Sequence, residues 1–320
     1  MVDNPVITFS PAQTIVPTYE CFNRCSYCNF RVEPGTEDFM SSKAILKTLQ
    51  QLDIAKVSEI LVLSGEVHPD SNRRSKWFAK VYEVCELALK LGFLPHTNVG
   101  PLSRQEMAQL RQVNVSMGLM LEQLNPKLME TVHKYAPSKK PKLRVQQLEQ
   151  AGELRIPFTT GILLGIGETE LDIKASLHEI ARIHQKFGHI QEAILQPHSV
   201  GTQQESALPS FDPHQLPAII AIAKAILPSG VGIQIPPNLV PDRSFLLKCL
   251  AAGATDLGGI SPIDEVNPDY PHPKYKSLSA ILASAGWELK PRLPVYPQYF
   301  NWLPKDLQNA ISKKKKRLIW

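Results

Sequence analysis

Short apolar stretches alternate with longer segments of helical periodicity along almost the whole of this chain. The strand-like stretches fall at 14–19, 59–64, 93–98, 115–122, 157–164, 192–197, 232–236 and 255–260. The second contains the run Ile60-Leu61-Val62-Leu63, the pattern of a strand buried on both faces. Helical segments follow at 42–52, 76–91, 104–112, 143–154, 171–187, 216–227, 245–252 and 276–285. The first puts Ala44, Ile45, Leu46, Leu49 and Leu52 on one face, and the fifth does the same with Ile173, Leu177, Ile180, Ala181 and Ile183. Eight β-then-α units in order predict an α/β fold, a closed (βα)8 barrel of the TIM type. A doubly wound open sheet is the alternative that the same alternation allows. No Ser- or Gly-rich linker divides the chain. Beyond Trp287 the character changes, with Pro291, Pro294, Tyr296, Pro297, Tyr299, Phe300 and Trp302 close together. We expect a barrel over 1–287 and an extension over 288–320 that packs against it and ends in a short helix at 305–312.

Of the 320 residues 43% are hydrophobic and 20% charged, enough for a sizeable core. The net charge of +5 is nearly accounted for by Lys313 to Lys316 and Arg317. The body is therefore close to neutral and gives a nucleic-acid role little support, and the basic run reads as a solvated C-terminal end. No apolar run approaches membrane-spanning length and no signal peptide opens the chain, so a cytoplasmic protein without membrane contact is expected. Five cysteines do not make a disulfide framework. Cys85 and Cys249 lie in helical segments and read as small buried hydrophobes. Free thiols point to a reducing compartment.

The other three cysteines form the run Cys21-Phe22-Asn23-Arg24-Cys25-Ser26-Tyr27-Cys28, directly after the first predicted strand. In a (βα)8 barrel chemistry sits in the loops at the C-terminal ends of the strands. Three thiolates on one loop can hold three irons of a 4Fe–4S cluster, and with no fourth Cys nearby one iron stays open to a small molecule. Zinc would want a second Cys pair that is missing, and a thioredoxin-type pair would leave Cys21 idle. Other strand ends carry polar groups. In Ser64-Gly65-Glu66, Gly65 lets the backbone approach a ligand and Glu66 can accept hydrogen bonds from an ammonium group. Glu122 closes an otherwise apolar strand, either as a bidentate acceptor or as a solvated terminus. The run Gly161-Ile162-Leu163-Leu164-Gly165-Ile166-Gly167-Glu168 is glycine-rich but lacks the spacing of a phosphate loop, and Glu168 reads as a helix-start cap.

In order and position these motifs resemble those of radical S-adenosylmethionine (SAM) enzymes. The resemblance implies that Cys21, Cys25 and Cys28 hold the cluster, and that its open iron takes the amino and carboxylate groups of SAM. Reductive cleavage of SAM then yields a 5′-deoxyadenosyl radical. It further implies that Gly65 and Glu66 meet the methionyl amino group, and that Gly161, Leu163 and Gly165 flank the adenine. Glu122 would reach the ribose, and Tyr27 would pack beside the adenine. By likeness to biotin-synthase-like members, Arg144 pairs with the SAM carboxylate; a surface arginine is the competing reading. Ser64 and Leu163 replace the commoner Gly and Ile.

The stretch 156–169, the cysteine run and Gly258-Gly259-Ile260-Ser261-Pro262 are similar to the deazaflavin-forming CofG branch of that family, as is Asn267-Pro268. Asn29, Leu257 and His272 depart from its pattern. That branch closes the last ring of 7,8-didemethyl-8-hydroxy-5-deazariboflavin, with loss of ammonia. Its substrate is the 4-hydroxybenzyl adduct of a ribityl-imino-dihydrouracil. The partners implied are this small molecule, a reducing electron donor, and a sister adduct-forming radical SAM subunit (CofH-like). Asn98, Gln196, Gln234 and Asn238, at the ends of predicted strands or just beyond, suit a uracil edge and a polyol. His198 is either a proton acceptor or a structural hydrogen-bonder. A sister synthase or a menaquinone-pathway cyclase of the same barrel type stays open. So does, from another class, a non-catalytic iron–sulfur carrier. A biotin-synthase-like sulfur inserter lacks its second cysteine set.

Overall fold

A computed structural model describes residues 5–204 and 208–318. Eight parallel strands close into a barrel: β1 (Val6–Ile15), β2 (Glu59–Leu63), β3 (Leu94–Asn98), β4 (Ser116–Gly118), β5 (Phe158–Leu164), β6 (Ile190–Pro197), β7 (Gly232–Gln234) and β8 (Asp256–Ile260). Closure comes from β1, which pairs with β8 on one side and with β2 on the other. The open-sheet alternative is thereby set aside. Helices α1 (Ser42–Gln50), α2 (Arg74–Lys90), α3 (Arg104–Leu110), α4 (Pro141–Glu153), α5 (Glu170–Phe187), α6 (Leu216–Ile226), α7 (Arg243–Ala252) and α8 (Tyr275–Ala283) follow the strands in turn. Their apolar stripes and the outward faces of the strands form one continuous core that includes Trp77, Phe93 and Phe158. The sequence marks α5 best at both ends. Thr169 and Asp172 make a capping box, and Gly188 closes the helix in the left-handed conformation at φ 68°.

Four boundaries differ from expectation, each for a local reason. The first strand starts at Val6 and stops at Ile15 rather than spanning 14–19, since Pro17 has no N–H to give a ladder. Strand β4 has only three residues, because the chain turns at Glu122, whose φ is +66°. A ninth strand, β9 (Glu288–Pro291), pairs in parallel with the first half of β1. The extension therefore joins the sheet, and its residues Leu293, Val295, Tyr299 and Leu303 pack on Leu94 and Val115 as a second core under the barrel. Lastly, α9 (Lys305–Arg317) runs through most of the basic segment expected to be solvated. Lys314 is 1% exposed, and its ammonium donates to the carbonyls of Ile54 (2.7 Å) and Val57.

Candidate functional site

Two adjoining cavities open at the C-terminal ends of the strands. One lies under the cysteine loop and is lined by Cys21, Cys25 and Cys28 together with Tyr27, Gly65, Glu66, Glu122, Arg144, Leu163 and His198. The other is the barrel lumen, lined by Gln234 at the mouth and by Glu59, His96, Glu192 and Arg292. Asn98, Gln196, Leu63 and Met120 belong to both.

The cysteine loop is pinned from two sides. Cys21 N–H donates to the Val32 carbonyl (3.1 Å) and Phe22 N–H to that of Glu66 (3.0 Å). Across the mouth, Arg24 N–H donates to Tyr135 (2.8 Å) and Ser26 N–H to Val132 (3.0 Å). Asn23 fastens the loop from within. Its amide N–H donates to Glu66 (2.9 Å) and its carbonyl accepts from Ser138 N–H (3.2 Å). Gly65 lies where only glycine fits, since a Cβ would stand 2.1 Å from the Glu20 carbonyl oxygen.

Glu66 and Arg144 face each other at 3.1 Å. Arg144 is 1% exposed, not a surface arginine, and also donates to the Ser138 carbonyl (2.8 Å) and the Met120 carbonyl (3.3 Å). A carboxylate beside a guanidinium is the complement of an α-amino acid head group, which carries both charges on one carbon. A second ion pair joins Glu122 to Lys139. Burial pushes the Glu122 carboxyl up, but Lys139 and Arg144 outweigh it and hold the group below the usual carboxylate range. The backbone at Glu122 is strained for a non-glycine residue and is held by its N–H donating to Gly161 (3.2 Å) and its carbonyl accepting from Leu163 (3.2 Å). The Tyr27 hydroxyl lies 2.9 Å from His133 Nε2.

The thiols themselves suit a positively charged inorganic centre. Burial raises Cys25 to about 12, against the pull of Lys139, and Cys21 to about 11. Cys21 and Cys25 therefore stay protonated as free thiols, and a strong local positive charge such as bound iron would make them thiolates. Among the described residues no group of three or more His, Cys, Asp and Glu is placed around a single metal ion. A cluster asks less, because each thiolate binds a different iron. The residues present fit a 4Fe–4S cluster with a SAM amino-acid head group beside it.

Other expected positions separate. Gly161 and Gly165 line neither cavity. A Cβ at Gly161 would lie 2.3 Å from the Ile194 carbonyl oxygen, so this glycine allows β5 and β6 to pair closely. Gly165, at φ +88°, shapes the following turn with Glu168, which accepts from Gly165 N–H (2.6 Å) and Ile166 N–H (2.8 Å). Asn238 lines neither cavity and ties a loop, donating to Asp264 (2.8 Å) and the Tyr270 carbonyl (2.8 Å). His198 borders the cysteine cavity, but Nδ1 lies 2.9 Å from the Pro209 carbonyl and Nε2 lies 3.1 Å from Gln204, so both nitrogens are engaged. Asn29, a departure from the family pattern, donates to Asp269 (3.0 Å) and accepts from Gln203 N–H (2.7 Å). Asn23, Lys139 and the lumen residues Glu59, His96, Glu192 and Arg292 were not anticipated. The Asn23 position within the cysteine run was the one available signal.

A closed parallel barrel with a three-cysteine loop after its first strand and a head-group clamp after its second defines the radical SAM class. The Radical SAM superfamily model matches residues 15–180. Solved structures of similar fold include the FeFe-hydrogenase maturase HydG from Carboxydothermus hydrogenoformans (TM-score 0.74, 16% identity, 98% of this chain and 77% of that one). Methylornithine synthase PylB is another (TM-score 0.64, 17% identity, 90% and 84%). Proteins named 7,8-didemethyl-8-hydroxy-5-deazariboflavin synthase are far more similar in sequence. That of Trichormus variabilis is 61% identical, covering 98% of this chain and 92% of the relative. That of Synechocystis sp. is 57% identical, covering 96% and 98%. The chain belongs to the 7,8-didemethyl-8-hydroxy-5-deazariboflavin synthase family within the radical SAM superfamily.

Proposed function

We propose that this enzyme forms 7,8-didemethyl-8-hydroxy-5-deazariboflavin from the 4-hydroxybenzyl adduct of ribityl-imino-dihydrouracil, releasing ammonia. The observation that carries the reading is the shared wall of the two cavities: Asn98, Gln196, Leu63 and Met120 border the cysteine site on one side and the polar lumen on the other. Cys21, Cys25 and Cys28 would hold the cluster, which when bound would supply the electron for reductive cleavage of SAM. The chain's task is to bind and orient. Glu66 and Arg144 take the amino and carboxylate groups of SAM, Glu122 takes its ribose, and Tyr27 and Leu163 flank its adenine. The amides of Asn98, Gln196 and Gln234 hold a uncharged heterocycle at the mouth, within reach of the cofactor site. Since both His198 nitrogens are engaged, the proton lost on rearomatisation goes to solvent or another acceptor.

The extension at 288–320 serves this reading as the floor of a barrel formed by 1–287. No described helix is long and apolar enough to cross a membrane. Cytoplasmic work with a reducing electron donor, and with adduct supplied by a sister CofH-like subunit, fits the oxygen-sensitive chemistry.

The test is an anaerobic assay of the reconstituted enzyme with reductant, SAM and freshly made adduct. Deazaflavin should appear together with 5′-deoxyadenosine, and Cys25→Ala should abolish both. Deoxyadenosine without deazaflavin, with adduct demonstrably present, would sink the assigned substrate.

A further inference from the structure

The lumen of a (βα)8 barrel is ordinarily filled by branched side chains. Here a cavity of about 160 Å³ runs inward from the mouth. Its walls follow strand alternation. Strand β2 contributes Glu59, Leu61 and Leu63, and β6 contributes Glu192, Ile194 and Gln196. The space is thus bordered by apolar carbon interleaved with carboxyl, hydroxyl, imidazole and amide groups.

The floor carries more acid than base. Arg292 reaches in from the extension and grips Asp256 through two bonds, Nε to Oδ2 (2.6 Å) and Nη2 to Oδ1 (2.8 Å), and pairs with Glu192 as well. Its remaining nitrogen donates to the Leu293 carbonyl (3.1 Å). Glu192 also accepts from Thr159 (3.0 Å) and Tyr296 (3.1 Å). Glu59 is different. It is 6% exposed and faces the lumen, yet it has no ion pair among the described residues. At the other end, the side-chain amides of Asn98, Gln196 and Gln234 line the same space without a hydrogen-bond partner among the described residues. The three amides are half-buried and Glu59 is buried beside the Ser10 hydroxyl, so together they offer hydrogen bonds to a ligand along its whole length.

We propose that the lumen is a polyol subsite, in which the ribityl chain of the substrate runs inward from the amide ring of Asn98, Gln196 and Gln234 to the carboxyl of Glu59. This deepens the assigned function and rests on it. Gln196 and Glu192 lie four residues apart on one strand, about 13 Å at 3.3 Å per residue, room for a five-carbon chain below a pyrimidine ring. An extended polyol has the matching chemistry, with C–H edges for Leu61 and Ile194 and hydroxyls for the polar groups between them. A phenol ring at this depth would instead waste the polar groups.

The test is a fluorescence titration of the reconstituted enzyme, with SAM present, using two probes. One is the deazaflavin product; the other is the same chromophore with a methyl group in place of ribityl. Wild type should bind the ribityl probe about tenfold tighter or more. Glu59→Gln should remove most of that preference and leave affinity for the methyl probe in place, with an unchanged melting temperature. Ile194→Phe, which narrows the lumen without touching its polar groups, should likewise penalise only the ribityl probe. Equal affinity of wild type for the two probes, or a preference that survives both substitutions, overturns the subsite while leaving the assigned reaction standing. If wild type binds neither probe, the substrate reading falls and the subsite falls with it.

Discussion

Lys139 shows how one side chain can hold a site in its charge state. It is paired with Glu122, and its charge also bears on Cys25. Removing one partner of a buried pair leaves the other charge uncompensated, which costs about 3 kcal/mol. Lys139→Met should therefore lower the stability of the reconstituted protein by about that much in anaerobic urea unfolding. The double substitution Lys139→Met with Glu122→Gln should recover most of the loss. A single-variant cost below about 1 kcal/mol would mean that Glu122 is stabilised by other groups. At this scale the sequence disclosed what is local. The cysteines, Gly65 and Glu66 are legible as neighbours in one cavity because their spacing within a few residues places them at adjoining strand ends. Lys139 was not, for it sits in Ser138-Lys139-Lys140-Pro141-Lys142, which reads as solvated charge.

Among the elements, β9 and the turn after it have the largest consequence that the sequence pattern hid. A four-residue strand with a proline at its end carries almost no periodic signal, and Arg292 meets Glu192 from 100 positions away. The helices and the central strands were legible because each repeats its own period over enough residues; β1 and β4 were misjudged where a proline or a positive φ cut the pattern. Arg292 joins the extension to β6 and β8 through Glu192 and Asp256, both buried. Arg292→Met should cost about 3–5 kcal/mol, read as a lowered urea midpoint. Arg292→Lys keeps the charge but not the planar fork that holds Asp256 through two bonds, so it should recover only part of the loss. Full recovery by lysine would show that charge alone secures the floor.

For the molecule as a whole, buried titratable groups set the response to acid. Five histidines are held neutral mainly by burial: His96 and His189 at about 3, His133 at about 4, and His184 and His272 below the ordinary value. From pH 6.5 down to the folded values the unfolded chain binds protons that the fold refuses, so stability falls as pH drops. Two lumen carboxyls oppose this. Burial raises Glu59, and it raises Glu192 to about 7. Above pH 4.5, up to about 7 for Glu192, the fold thus binds protons that the unfolded chain does not, and these groups add stability as pH falls. The histidines outnumber the carboxyls, and the net slope has the sign of the histidines. Anaerobic urea unfolding between pH 4.5 and 6 should show stability decreasing with acid. His96→Gln should lessen the slope by about 1.4 kcal/mol per pH unit, the value of one proton. An unchanged slope would mean that His96 takes up its proton within the fold. In that case the ring, 2.7 Å from the Ser116 hydroxyl, would carry a positive charge on the wall of the lumen.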